Sequence, residues 1–149
     1  MKSLFNPTVN KEMIDRILKM NPEKKPIWGK MSAAQMIAHS QAPFKVAFEE
    51  LKLKRGILGI LFGGIAKKKI LGPEPFGKNL PTDNNFKIIG QPDFEKEKNK
   101  LVDYVQRFAK TGSDGITNEA HPFFGKLKLE EWDTLLYKHL DHHLRQFGE

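Results

Sequence analysis

LEEWDTLLYKHLDHHLRQF, residues 129–147, decides the fold and the chemistry together. A helix turns about 100° per residue. With His139 set at zero, Trp132, Leu135, Leu136, Leu140 and Phe147 fall between about −40° and +100°, so the stretch predicts a helix with one apolar face. Glu130 and Glu131 stand in its first turn, where the helix dipole favours carboxylates, and Gly148 stands where a C-terminal cap belongs. His143 lies near +40°, inside the apolar arc, and His142 near −60°, at its edge. Gln146, near −20°, also faces inward, whereas Asp133, Tyr137 and Asp141 point elsewhere; Asp141 reads as a solvated surface carboxylate.

Three more long helical segments precede this one, and no segment alternates as a strand would. The first covers about Asn10 to Met20, with Met13, Ile14, Ile17 and Leu18 on one face and Asn21-Pro22 as its stop. The second begins at Ser32, which forms a capping-box pair with Gln35. Its apolar face runs through Ala33, Met36, Ile37, Phe44 and Ala47, and Pro43 inside it predicts a kink. The third runs from Pro92-Asp93 to about Lys110, with a stripe of Phe94, Leu101, Val105 and Phe108. The expectation is an all-α chain, one helical-bundle domain over 1–149, with no repeat and no low-complexity tract.

Residues 52–79 are harder to read. An apolar, glycine-rich run, Ile57 to Ala66, lies between Lys52, Lys54 and Arg55 on one side and Lys67, Lys68 and Lys69 on the other. Ten residues cannot span a bilayer as a helix, which needs about 20. A short helix packed on the bundle is favoured over a lid or a surface touching acidic lipid, because the polar face of an interfacial helix is missing. Pro73, Pro75, Gly77 and Pro81 mark a loop.

The chain has no cysteine, which removes disulfides, zinc-thiolate sites and cysteine nucleophiles. It fits a reducing compartment, and without an apolar run near Met1 the protein is expected to be cytoplasmic. The net charge of +7 invites a nucleic-acid reading, but the lysines are scattered and no recognition motif accompanies them, so specific nucleic-acid binding is not expected.

His139 and His143 form an i, i+4 pair on the core face, the spacing that lets two imidazoles reach one metal from one helix. Buried histidines each satisfied by a hydrogen bond are the ordinary alternative, and spacing alone leaves it open. Two nitrogens make a poor site, so a metal needs a third ligand from another helix. His39, at the edge of the second helix's apolar face, is the best candidate. It stands about two turns from its helix start, and the pair stands one to two turns from its helix end. The three share a level only if the second and last helices are antiparallel, which needs a crossover; the connection from Leu51 to Gln91 is long enough. His121 falls at the far end from this level.

The segment Trp28-Gly29-Lys30-Met31-Ser32-Ala33-Ala34-Gln35-Met36-Ile37-Ala38-His39-Ser40 and the final His139 and His143 pair resemble the second-helix and last-helix motifs of the DinB/YfiT-like superfamily. His121-Pro122-Phe123-Phe124-Gly125-Lys126-Leu127, followed by Glu131-Trp132, resembles a branch of it catalogued as a domain of unknown function. The resemblance implies a four-helix bundle with a long crossover and an extra short helix. It implies a mononuclear nickel or zinc site on His39, His139 and His143, and homodimers. It also implies transferases or isomerases using low-molecular-weight thiols. The superfamily's Arg-Gly-Gln after the final histidine is here Leu144-Arg145-Gln146.

An open three-histidine site is typical of catalysis, since closed structural sites use four protein ligands. Its metal would act as a Lewis acid or lower the pKa of a bound water or thiol. His142 and Gln146 are the candidates to orient a ligand or substrate. The leading expectation is a metal-dependent transferase or hydrolase acting on a small molecule. A non-catalytic metal-binding or stress-response bundle is the alternative, and a lipid- or nucleic-acid-associating basic bundle is a third reading.

Overall fold

The computed structural model describes residues 2–54 and 56–149, the side chain of Leu58 excepted. Met1 and Arg55 therefore lie outside the described residues. Among these residues the structure is all-helical: α1 (Pro7–Lys19), α2 (Ala33–Ser40), α3 (Ala42–Ala47), α4 (Ile57–Leu71), α5 (Phe94–Thr111) and α6 (Leu129–Gln146), with 3₁₀ turns at Asn84–Phe86 and Gly112–Gly115.

The helix ends follow local chemistry. Asn6 accepts from the Thr8 and Val9 amides, and Pro7 occupies the first turn, so α1 begins three residues before the apolar periodicity does. The Ser32–Gln35 capping box opens α2 with both reciprocal bonds, 3.2 and 3.0 Å. Pro43 produces a break rather than a kink inside one helix: α2 ends at Ser40, and the proline sits in the first turn of α3, where its missing N–H costs nothing. Asp93 caps α5 through the Lys96 amide at 3.0 Å. At the end of α6, Gly148 adopts φ +81°, and the Gly148 and Glu149 amides return to the Arg145 and Leu144 carbonyls.

The apolar stripes meet in one core, where Met13, Ile17, Met36, Ile37, Leu101, Val105, Phe108, Leu136 and Leu140 are fully buried. Each such side chain contributes about 1.5–3 kcal/mol of transfer free energy. α1 contacts α5 and α6, and α2 contacts the same two helices. The Ile27 amide donates to the Gln146 carbonyl at 2.7 Å, which puts the entry to α2 beside the exit of α6. Those two helices therefore run antiparallel. The intervening chain carries α4, which packs on α6.

Two acidic side chains of α6 that point away from the histidine arc are engaged by other elements, and for Asp141 this corrects the expectation of a solvated carboxylate. Asp133 is buried and accepts from the Leu4 amide at 2.8 Å, because the N-terminal segment folds over that side of the helix. Asp141 is not freely solvated: Arg16 of α1 (2.8 Å) and Arg145 (2.9 Å) clamp it from two sides. A helical wheel drawn on α6 alone cannot show either neighbour.

α4 also differs. It spans 15 residues, reaching past the apolar run through Lys67–Lys69 to Leu71. It packs by its smallest residues. Gly59 and Gly63 are buried, and a Cβ on Gly59 would come within 2.8 Å of the Pro122 carbonyl. Its large apolar side chains face away from the protein: Ile57, Ile60, Leu61, Phe62 and Ile65 are each more than half exposed. Lys138 of α6 holds the other end of α4, donating to the carbonyls of Ile70, Gly72 and Glu74 at 2.6–2.7 Å. Those carbonyls lack helical partners, and the helix dipole favours a cation beside them. Lys67 adds an ion pair to Glu131 at 2.7 Å.

Candidate metal centre

His39 from α2 and His139 and His143 from α6 converge. Their ring centroids are 4.6–5.1 Å apart pairwise. One nitrogen from each can be chosen so that all three lie within 4.8 Å of one another, and among the described residues no Asp or Glu joins them. A triangle of that side has its centre about 2.8 Å from each corner, so each ring need move by no more than about 0.8 Å to reach a zinc–nitrogen distance near 2.0–2.1 Å. The chemistry and spacing fit a divalent transition metal ion.

The ring orientations are fixed from behind. His39 Nδ1 lies 2.8 Å from the Phe86 carbonyl, which can only accept, so Nδ1 carries the proton and Nε2 keeps its lone pair. Asp83 supports that carbonyl's position by capping the 3₁₀ turn at Asn84–Phe86. His143 Nδ1 lies 2.9 Å from Gln146 Oε1. The Gln146 amide has one sensible orientation, since its Nε2 donates to the Trp28 carbonyl at 2.6 Å. His143 thus also presents Nε2. No described residue hydrogen-bonds to the His139 ring.

Burial keeps these imidazoles neutral, which is the ligand form. Loss of solvation pushes His39 below its ordinary pKa, the Phe86 carbonyl opposing. It pushes His143 down to about 3, with His39 adding repulsion. His139 falls well below its ordinary value, from burial first and then from His143, His39 and His142.

The other expected residues divide. Gln146 is buried and supports His143 directly. His142 is buried but touches a different set: its ring stands edge-on to Trp28 at 5.6 Å and lies 5.9 Å from Phe76. It lies 5.1 Å from the His143 ring and forms no hydrogen bond to it. His121 stands apart, as its distance along the fold predicted. Its Nδ1 accepts the Phe123 and Phe124 amides at 3.1 and 3.2 Å, and its ring packs on Trp132.

Two contributors escaped the sequence reading. The Phe86 carbonyl is backbone and has no side-chain signature. Gly29 adopts φ +82°, and a Cβ there would sit 2.5 Å from Gln146 Nε2, so glycine is needed both for conformation and for room. A Trp-Gly pair just before a capped helix was the only signal of it.

A helical protein with three convergent imidazoles, two of them backed by hydrogen bonds, is the class that fold and site define. Residues 65–149 match a family model described as Protein of unknown function (DUF1569); this is more than half of the 149-residue chain, and the chain belongs to that family. The matched stretch carries His139 and His143 and begins after His39. No curated protein and no solved structure matches the chain.

Proposed function

We propose that this protein is a metal-dependent enzyme built on a four-helix bundle of α1, α2–α3, α5 and α6, with one nickel or zinc ion on His39, His139 and His143. The observation that carries the reading is that the three histidines each offer a ring nitrogen within 4.8 Å of the others, with no Asp or Glu in the group among the described residues, while two of the rings have Nδ1 committed to an acceptor and Nε2 left with its lone pair. Buried imidazoles without a metal are normally satisfied one by one; here His139 has no hydrogen-bond partner among the described residues.

Three protein nitrogens leave a coordination position for a substrate, and a divalent ion there supplies Lewis acidity toward an oxygen or sulfur atom. The chain's own contribution is to hold the rings and limit water. Phe86 and Gln146 fix the tautomers of His39 and His143, and His142, Trp28 and Phe76 form an aromatic wall beside them. With no cysteine in the chain, a thiol would arrive as a cosubstrate, and the DinB/YfiT-like resemblance supports a thiol-dependent transferase; a hydrolase fits the same open site.

Purified protein loaded with zinc or nickel should carry one ion per chain, by plasma mass spectrometry. His39→Ala, His139→Ala and His143→Ala should each lose most of it while keeping helical circular dichroism. Equal metal content in all three variants would refute the site. Full metal content without turnover, across a panel of low-molecular-weight thiols and small electrophiles or esters, would favour a non-catalytic metal-binding bundle.

A further inference from the structure

α4 is built inside out. With Gly59 set at zero, Gly63, Ala66 and Ile70 fall within about 40° of it. This is the side against the protein, where Gly59 meets the backbone of Pro122 and Phe123. Ile57, Ile60, Leu61 and Ile65 occupy the opposite half, between about 100° and 240°. They are 75%, 61%, 65% and 72% exposed. Phe62 flanks them at 52%, and Phe123, at the foot of the helix, adds 37%. Soluble surfaces scatter such residues singly; a contiguous set marks a docking face. The polar face that an interfacial helix normally needs is absent from α4 because the protein covers that side itself.

The charge around this face says what covers it. Between Glu50 and Glu74 the chain has six basic residues and no acidic one. Lys68 lies in the middle of the outward arc near the C-terminal end, and Lys69 lies at its margin; both are exposed. Lys52 and Lys54 precede the helix and are also exposed. Two copies meeting through this face would bring these lysines together without a counter-charge. A phosphate backbone would match the lysines but not the isoleucines. A layer with anionic groups at its surface and hydrocarbon beneath matches both.

We propose that α4 docks this protein on anionic lipid membranes, with Ile57, Ile60, Leu61 and Ile65 entering the headgroup boundary and Lys68 and Lys69 contacting lipid phosphates. The helix lies along the surface and does not cross it: at 15 residues it is too short, and among the described residues no helix is long and apolar enough to span. Long lysine side chains at its end can extend from the apolar face to the headgroups. This inference does not depend on the histidine cluster.

The test is co-sedimentation with vesicles of phosphatidylcholine, with and without an equal part of phosphatidylglycerol. The protein should bind the phosphatidylglycerol vesicles, and binding should weaken as salt is raised. A lysine near an anionic surface contributes about fivefold in partitioning, so Lys68→Ser/Lys69→Ser should bind about 25-fold more weakly. Leu61→Ser/Ile65→Ser should lose more than about tenfold, since each side chain gives up burial in the apolar layer. Circular dichroism and melting should stay at wild-type values, because these side chains face away from the core. Binding that is absent, or equal on both vesicle types, overturns the proposal. So does a light-scattering dimer that Leu61→Ser/Ile65→Ser converts to monomer, which would make a second copy the occupant.

Discussion

Replacing Gln146 by leucine keeps most of the side chain's volume and deletes both of its hydrogen bonds. One of these holds His143 Nδ1 at 2.9 Å, and the other reaches the Trp28 carbonyl at 2.6 Å. Without the first, the His143 ring loses the partner that fixes its tautomer, and either nitrogen can carry the proton. Removing such a partner behind a metal-bound histidine costs about 10–100-fold in metal affinity, about 1.4–2.7 kcal/mol. The expected outcome is therefore a zinc affinity lowered by one to two orders of magnitude, measured by competition with a chromogenic chelator. Gly29→Ala should act through the same amide, because its new Cβ would fall 2.5 Å from Gln146 Nε2 and displace it. The two substitutions should then be strongly non-additive: Gly29→Ala should cost metal affinity in the wild type and little more in the Gln146→Leu background. Affinity unchanged within twofold in Gln146→Leu, or full additivity of the pair, would refute the claim that this amide orients His143.

Two further outcomes concern the rest of the fold. Burial pushes His121 down to about 4, below its ordinary value near 6.5 in the unfolded chain. The unfolded state then binds the proton more readily between those values. The stability tied to neutral His121 is complete above about pH 6.5 and is lost as pH falls toward 4. Urea unfolding at pH 7 and pH 4 should show His121→Phe losing about 3 kcal/mol less than the wild type over that interval; parallel losses would contradict it. Lys138→Met keeps the length of the side chain and removes three bonds to the carbonyls of Ile70, Gly72 and Glu74. Hydrogen exchange should accelerate in residues 67–74, with about 2 kcal/mol lost from global stability, and unchanged protection there would argue against the anchoring role.

The last helix shows how far local periodicity carries an argument and where it stops. The apolar arc of residues 129–147 places His139, His143 and Gln146 inward, and that is where their side chains lie, although the buried surface of α6 is wider than the arc and also takes in Asp133, Lys138 and Leu144. The depth argument required α2 and α6 to be antiparallel, and the Ile27 and Trp28 contacts with Gln146 have that sense. The surroundings of Asp133, and the clamp that keeps Asp141 from being freely solvated, are not legible in α6 for a different reason. Their partners, the Leu4 amide and Arg16, come from more than a hundred residues away in sequence, and the angle on one helix holds no information about them. In α4 the pattern itself misleads. Large and small apolar residues both count as apolar, so the stripe of Gly59, Gly63 and Ala66 against the protein cannot be told from a buried face by polarity. Only the size difference between its two sides marks which one packs.

α6 carries three separate tasks on three arcs, and this explains why it tolerates so many charged and polar residues while remaining central. One arc holds His139, His143 and Gln146 toward α2. A second holds Glu131 and Lys138 toward α4, through Lys67 and the carbonyls that end that helix. A third holds Asp133 and Asp141 toward the N-terminal segment and Arg16 of α1. Each polar group is matched to a partner that a neighbouring element supplies, so its burial costs little. On the histidine arc the His139 ring has no hydrogen-bond partner among the described residues; on the same helix the buried Trp132 Nε1 also lacks one. What sets the histidines apart is geometry: an imidazole with no protein partner stands between two whose Nδ1 atoms are already committed, with a nitrogen of each within 4.8 Å of the others. That convergence, more than the mere presence of histidines, is the physical ground for reading the cluster as a candidate metal centre.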